Sequence, residues 1–352
     1  MIFVSARQYW NYCGNIMHTI INKVCLLLDS RGSGGIESHV HMLAEGLSEQ
    51  GIKVEVLLLK DYGGHAMMDQ LLGAGFACSM NNNGARGLFR RLREIRPSIL
   101  HTHGYKSGIL GRLVGRLLGI RVVNTYHAGE AAAGKMRLYD LIDRWSGVFN
   151  HRSIAVSEKI AARLPFRARV LNNFVRLPEQ LSSGNEIAFV GRLSHEKGPD
   201  YVLQMARRFP HRTFQLYGDG PMRASLQQQA PDNVRFMGNQ SDMSQVWPRI
   251  GLLLMPSRHE GLPMAALEAM AHGIPVLASR VGDLHRLVES GNNGLLCAPG
   301  DIDAFCDGLQ QVFDDDNTRQ RLAGNARKTL EHSFSMATEL PRLIGLYHEA
   351  LR

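Results

Sequence analysis

The sequence predicts an α/β protein of two domains, each built on a mostly parallel sheet, and three observations carry that prediction. At 352 residues the chain exceeds one ordinary domain. Short apolar runs alternate with longer stretches of helical periodicity, the pattern of βα units. That pattern also begins twice. KVCLLLD at 23–29 runs into a glycine loop and an amphipathic helix, and EIAFV at 186–190 does the same after a linker at 176–185 containing Pro178 and a Ser-Ser-Gly run.

Composition narrows the class. With 44% hydrophobic and 20% charged residues the chain is globular rather than disordered. Cys13, Cys25, Cys78, Cys297 and Cys306 show no paired spacing and no zinc pattern, so they read as reduced thiols of a cytosolic protein. No apolar run approaches the ~20 residues that span a bilayer, and the first sixteen residues lack the basic start and apolar core of a signal peptide. Residues 1–22 read as an unstructured extension, or as an artefact of start-site choice. Net charge is +8, unevenly spread. Residues 1–173 hold 22 Lys and Arg against 12 Asp and Glu, a net of +10, whereas residues 174–352 hold 18 against 20, a net of −2. The first half therefore suits an anionic surface or substrate. No nucleic-acid motif accompanies the charge.

In order, the first strand ends in RGSGGIE. Gly32 and Gly34 open a dinucleotide fingerprint, but Glu37 stands where its third glycine belongs, which disfavours an NAD-dependent dehydrogenase. KVEVLLL at 53–59 and SILHTHG at 98–104 are further strands. His101 and His103 share one face of the latter with no further ligand at metal spacing, so a structural role is expected and no metal. RVVNTYHAGE at 121–130 places His127 just past a strand end, followed by a small-residue loop at 128–135 suited to covering a cleft. RSIAVSEKIAARL at 152–164 is a strand and a helix, with Ser157 as N-cap. Two arginine-rich stretches, 89–96 (FRRLREIR) and 108–119, carry apolar stripes edged by cations, which fits an anionic membrane surface as partner.

In the second half, Gly191-Arg192 follows a strand, and Lys197-Gly198 precedes a helix. Two cations around a glycine turn at a helix start suit a diphosphate. TFQLYGDGP at 213–221 ends in a turn at Gly218. NVRFMGNQ at 233–240 ends in a loop around Met237 and Gly238. The apolar strand at 250–255 leads into HEGLPMAALEAMAHGIPV at 259–276. Here Glu260 and Glu268 stand eight positions apart, slightly over two helical turns, so both can face one ligand at a helix start near Gly261, Leu262 and Pro263.

The stretch 259–276 resembles the E-x7-E signature of retaining, nucleotide-sugar-dependent glycosyltransferases with the GT-B fold, the glycosyl transferases group 1. GRLSHEKG at 191–198 resembles the arginine–lysine element of the same family, and Gly34-Gly35 with Glu37 its G-G-x-E loop. The resemblance runs from residue 23 to the C-terminus. It implies two Rossmann-like domains facing across a cleft, 23–175 on the acceptor side and 186–334 on the nucleotide-sugar side. The helix 335–352 is expected to cross back to the first. By the resemblance, Arg192 and Lys197 lie on the donor diphosphate, Glu260 on the transferred sugar, Glu268 on the ribose, and His127 beside the donor sugar. Gly218 lies under the nucleotide, the backbone at Met237 and Gly238 reads the base, and Gly34 and Gly35 approach phosphate and acceptor. The resemblance implies no metal, and no cofactor beyond the donor itself. The implied acceptor is a cell-envelope saccharide or lipid-linked sugar, in the cytoplasm or on the inner face of its membrane. A nucleotide-sugar epimerase or hydrolase on the same fold, or a non-catalytic nucleotide-sugar-binding partner, are the alternatives.

Overall fold

A computed structural model of the chain describes residues 20–30, 32, 34–127, 135–240 and 242–352. Most of the expected N-terminal extension and of the small-residue loop at 128–135 falls outside them. Among the described residues, seven strands form the first sheet: β1 (Lys23–Leu28), β2 (Lys53–Leu58), β3 (Ala77–Met80), β4 (Ile99–His103), β5 (Arg121–Tyr126), β6 (Arg152–Ala155) and β7 (Arg169–Val170). Six form the second: β8 (Glu186–Val190), β9 (Phe214–Tyr217), β10 (Val234–Gly238), β11 (Ile250–Met255), β12 (Val276–Ser279) and β13 (Gly294–Cys297). Every pairing is parallel, in the orders 3-2-1-4-5-6-7 and 10-9-8-11-12-13. Both are Rossmann-type arrangements, in which the order reverses once, between β1 and β4 and between β8 and β11.

The near-continuous apolar strands follow from burial on both faces. Val24, Leu26 and Leu28 of β1 face the helix Gly35–Glu49, while Cys25 and Leu27 face the other side, with Leu88, Leu92 and Ile95. Alternation along β8 and β11 divides the second domain in the same way, Ala188, Leu253 and Met255 on one face and Ile187, Phe189, Leu252 and Leu254 on the other. The glycine-broken stretch after β2 contains a helix, Ala66–Gly73, and the edge strand β3, neither of which its sequence pattern singles out.

The helix Gly84–Ile95 puts Leu88, Leu92 and Ile95 into the first core, with Phe89 partly buried, and Arg91 pairs with Glu55 and Glu94. The apolar stripe at 89–96 therefore packs on the sheet and presents no apolar face to a membrane. Similarly, Arg112 is buried against Asp143 instead of lying on the surface.

The last helix, Met336–Leu351, is capped by Ser335, whose Oγ accepts from the Thr338 N–H. It lays Met336, Leu340, Leu343, Leu346, Tyr347 and Ala350 into the first domain's core. Tyr347 Oη lies 2.7 Å from Nδ1 of His101, whose Nε2 is 2.7 Å from Thr125 Oγ1, so both ring nitrogens of His101 are satisfied structurally. The chain passes from one domain to the other through Val175, bridged to Ser335, and Asn173, whose Nδ2 donates to the Leu262 carbonyl at 3.2 Å.

Leu343, 1% exposed, tests this seating. Leu343→Ala is expected to lower unfolding free energy by about 3 kcal/mol in urea titrations, and a loss well under 1 kcal/mol would mean that the helix is not part of the core.

Candidate functional site

The loops at the two points of strand-order reversal gather the charged side chains. In the second domain they follow β8 and β11. After β8, a 3-10 turn at His195–Lys197 and Gly198 lead into the helix Pro199–Arg208. After β11, the chain turns at Ser257–Gly261, and Pro263 caps the helix Met264–Ala271. The expected helix start at Pro263 is shifted by one residue, because Pro263 has extended ψ (131°) and caps rather than enters the helix.

Two backbone contacts tie these loops together: the N–H groups of Arg258 and His259 both donate to the Glu196 carbonyl, at 2.8 and 3.2 Å. Arg258 adds a bidentate pair to Asp200 (2.8 and 2.6 Å), a bond to the His195 carbonyl, and a stack 4.0 Å over the Tyr201 ring. The result is that Lys197 Nζ sits 2.6 Å from Glu260 Oε2, while Ser257 Oγ donates to Glu260 Oε1 at 2.8 Å. Glu260 is almost enclosed, with a side chain 3% exposed, whereas Lys197 is 30% exposed and reaches solvent from one side. Glycine is needed on both flanks. Gly198 is left-handed (φ 67°), and a Cβ there would overlap the Pro256 carbonyl. Gly282 (φ 57°) passes so close to the Glu260 carbonyl that a Cβ would collide with it.

Arg192 is exposed on the same loop. Gly218 follows β9, its N–H donating to the Gly238 carbonyl at 2.8 Å, and Met237 is an exposed residue of β10 whose carbonyl accepts from Gln240. Gly261 is open to its surroundings, and Leu262 is buried. Glu268 lies on the helix Met264–Ala271 facing the first domain. Burial pushes its carboxyl up to about 7, against the hydrogen bonds from Trp247 and Ser38 that favour the charged form. Gly34 and Gly35 start the facing helix, with Gly35 3.5 Å short of Met264 at the position a Cβ would take. Glu37 accepts from Ser30 Oγ, which is also 3.0 Å from His65 Nε2.

A cavity of about 230 Å³ opens on Glu260 and is lined from both domains, by Ser157, Lys159 and Ile160 on one side and Arg258, Gly261 and Asp283 on the other. A second, of about 450 Å³, lies at the switch point of the first sheet, where Asp29, Gly104, Lys106, His127, Asp140 and Arg144 line it. Ile160 lines both, so the cavities abut. Lys106 Nζ is 3.2 Å from Asp29 Oδ2.

His127 belongs to a histidine cluster that spacing alone does not reveal. Its Nε2 is 2.9 Å from Nδ1 of His103, and its ring is 5.2 Å from that of His39, centre to centre. His39, His103 and His127 each offer a ring nitrogen within 4.8 Å of the others, a geometry that can hold a metal ion. The expectation of no third histidine near His103 considered neighbours in sequence only, whereas His39 comes from the helix Gly35–Glu49 and His103 and His127 from the ends of two different strands. Burial and mutual repulsion keep the rings neutral: His39 falls to about 4, His101 to about 3, and His103 and His127 well below the usual range. His127 is therefore held uncharged at neutral pH, with its Nε2 on His103.

Two facing Rossmann-like domains, with their charged loops meeting at the switch points, define the GT-B class of glycosyltransferase. Residues 33–175 match the model of Glycosyltransferase Family 4, and residues 178–329 match that of Glycosyl transferases group 1. The chain is 32% identical over 323 residues to the D-inositol 3-phosphate glycosyltransferase of Corynebacterium glutamicum (strain R), covering 75% of this chain and 75% of the relative. It is 26% identical over 302 residues to the UDP-Gal:alpha-D-GlcNAc-diphosphoundecaprenol alpha-1,3-galactosyltransferase of Escherichia coli, covering 74% and 77%. Anabaena HepE, solved in complex with UDP and glucose, superposes with a TM-score of 0.79 at 20% identity, over 92% of this chain and 98% of that one, a likeness of fold. The chain belongs to the glycosyl transferases group 1 family and is a glycosyltransferase.

The neutral histidines predict a pH dependence. Their folded pKa values are depressed, so they contribute stability above the unfolded value of 6.5 that is lost as pH falls below it. Urea midpoints should drop steeply between about pH 6.5 and about pH 4, and less so in His39→Asn; a flat profile across that window would mean that the rings are not buried neutral.

Proposed function

We propose that the protein transfers a hexose from a nucleoside-diphosphate sugar to a cell-envelope saccharide or lipid-linked acceptor, as in lipopolysaccharide or exopolysaccharide synthesis, with retention of anomeric configuration. The observation that carries the reading is the Lys197–Glu260 pair, held at a topological switch point and opening on a cavity lined from both domains.

Negative charge grows on the leaving diphosphate as the glycosidic bond breaks. A fixed ammonium at Lys197, the guanidinium of Arg192 on the same loop and the N–H groups at the start of the helix Pro199–Arg208 stabilise it where it develops. Glu260, held by Ser257 and Lys197, is oriented to accept hydrogen bonds from sugar hydroxyls. Glu268 binds the ribose, and the glycine turns at Gly218 and Gly238 leave the backbone free to approach nucleotide and base. Neutral His127, oriented by His103, donates or accepts at the sugar without adding charge. The acceptor enters through the cavity at Lys106, His127 and Arg144, and Gly34 and Gly35 directly precede Ile36 of its wall. Retention is what the resemblance at 259–276 implies, through same-face attack assisted by the leaving phosphate. The lipid-linked acceptor is supported by the net charge of +10 on residues 1–173 and by the acceptor in the name of the Escherichia coli relative. The fixed cations supply the charge that a divalent ion supplies elsewhere.

Lys197→Ala and Glu260→Ala should each slow acceptor-dependent transfer about a hundredfold, roughly 3 kcal/mol of transition-state stabilisation. Lys197→Ala should also lower the melting temperature by leaving the enclosed Glu260 unpaired, and Glu260→Ala, which leaves the partly exposed Lys197, should lower it less. Turnover should also persist in EDTA. Near wild-type rates in both variants would remove the site from the chemistry, and donor consumption independent of any acceptor would favour an epimerase or hydrolase.

A further inference from the structure

The helix Lys135–Ser146 is built inside out. Asp140 and Asp143, three positions apart, are buried at 8% and 2% exposure. Arg112 pairs with Asp143 and also donates to its carbonyl and to Ser146 Oγ, while Arg144 pairs with Asp140. The opposite face carries Leu138, Leu141, Ile142 and Trp145, spaced three, one and three positions apart, and all exposed, Leu138 at 61% and Trp145 at 63%. Val148 and Phe149, in the turn that follows, continue this face outward, and Leu113 and Leu117 of the neighbouring helix Tyr105–Leu117 extend it. Ordinary domain helices put their apolar stripe inward. Here the polar stripe is inward and anchored by a buried ion pair, so the apolar stripe is left facing out by construction. Single exposed apolar residues are commonplace, but a contiguous group of this size marks a contact surface.

The charge on this face selects its partner. Both acids of the helix point inward, while Arg116 and Arg137 are exposed beside the apolar side chains, the Arg116 guanidinium lying 5.5 Å over the Phe149 ring. An apolar stripe flanked by cations, on the half of the chain with net charge +10, complements a bilayer surface rich in anionic lipid. Among the described residues no helix is long and apolar enough to cross a membrane, so contact of this kind is interfacial. The inner face of the same helix lines the larger cavity through Asp140, Asp143 and Arg144.

We propose that the outward face of residues 138–149, with Leu113 and Leu117, docks onto an anionic bilayer and holds the mouth of the larger cavity at the lipid surface. The helix then serves two media at once, apolar side chains in the lipid interface and buried charges at the cavity wall. The proposal adds a partner to the acceptor side of the transferase reading, and its test involves no transfer reaction, so the two can fail separately.

The test is flotation of the full-length protein with vesicles of phosphatidylcholine alone or with about one third phosphatidylglycerol, beside sedimentation without lipid. The double variant Leu141→Glu/Trp145→Glu changes only exposed positions and should keep its melting temperature. The expected result is recovery of the wild type with anionic vesicles, reduced recovery with neutral ones, and loss of at least tenfold in the double variant. Trp145 fluorescence should shift to the blue on vesicle addition, and Trp145→Phe, which keeps flotation, should abolish the shift. Absence of flotation, flotation undiminished in the double variant, or a dimer that the double variant dissociates would each overturn the proposal, the last by making this face an interface between copies of the chain.

Discussion

The ammonium of Lys197 against the carboxylate of Glu260 is the interaction on which the site depends. Leaving either charge alone in that pocket would be costly, since Glu260 has almost no access to water. The pair exists because β8 and β11 are neighbours at the reversal of strand order, which sends their following loops to opposite sides and opens a crevice between them. Gly198 then allows the loops to approach to backbone contact, Gly282 of the loop after β12 closes on the Glu260 carbonyl, and Arg258, clamped on Asp200 and Tyr201, fixes the outer loop on the inner one. Strand order, two glycines and one bidentate ion pair thus set the position of a charge centre to within a hydrogen bond.

The first domain repeats the geometry with different chemistry. Its reversal lies between β1 and β4, and the loops there carry the Asp29–Lys106 pair and the neutral histidines. The second domain thus carries a charged crevice, and the first a cavity in which the neutral His127 stands beside the Asp29–Lys106 and Asp140–Arg144 pairs. The last helix holds the halves together from beneath. Tyr347 bonds the back of the strand that carries His103, and the Asn173–Leu262 bond joins the domains next to Glu260.

Much of this was legible from sequence because buried parallel strands are unbroken apolar runs, so β1, β2, β4, β5 and β11 fall within a residue or two of their expected limits. The loops after β8 and β11 carry the residues read from the GRLSHEKG and HEGLP stretches because local motifs survive as strings. Contacts between distant residues do not. Arg258 and Asp200 are 58 positions apart, and His39 joins His103 and His127 only through the packing of the helix Gly35–Glu49 across the first sheet. Amphipathic helices mislead in a further way, since periodicity gives a stripe but not the side it faces. The stripe at 89–96 turned inward, whereas the one at 138–145 turned outward because Asp140 and Asp143 are held by Arg144 and Arg112.

That the donor diphosphate sits in the second domain, between the loops after β8 and β11, is tested most directly by hydrogen–deuterium exchange. The comparison is made with and without saturating amounts of whichever of UDP, GDP or ADP raises the melting temperature. Slowed exchange is expected in residues 191–200 and 257–268. Protection confined to the glycine loop of the first domain, residues 30–37, with the second domain unchanged, would contradict that placement.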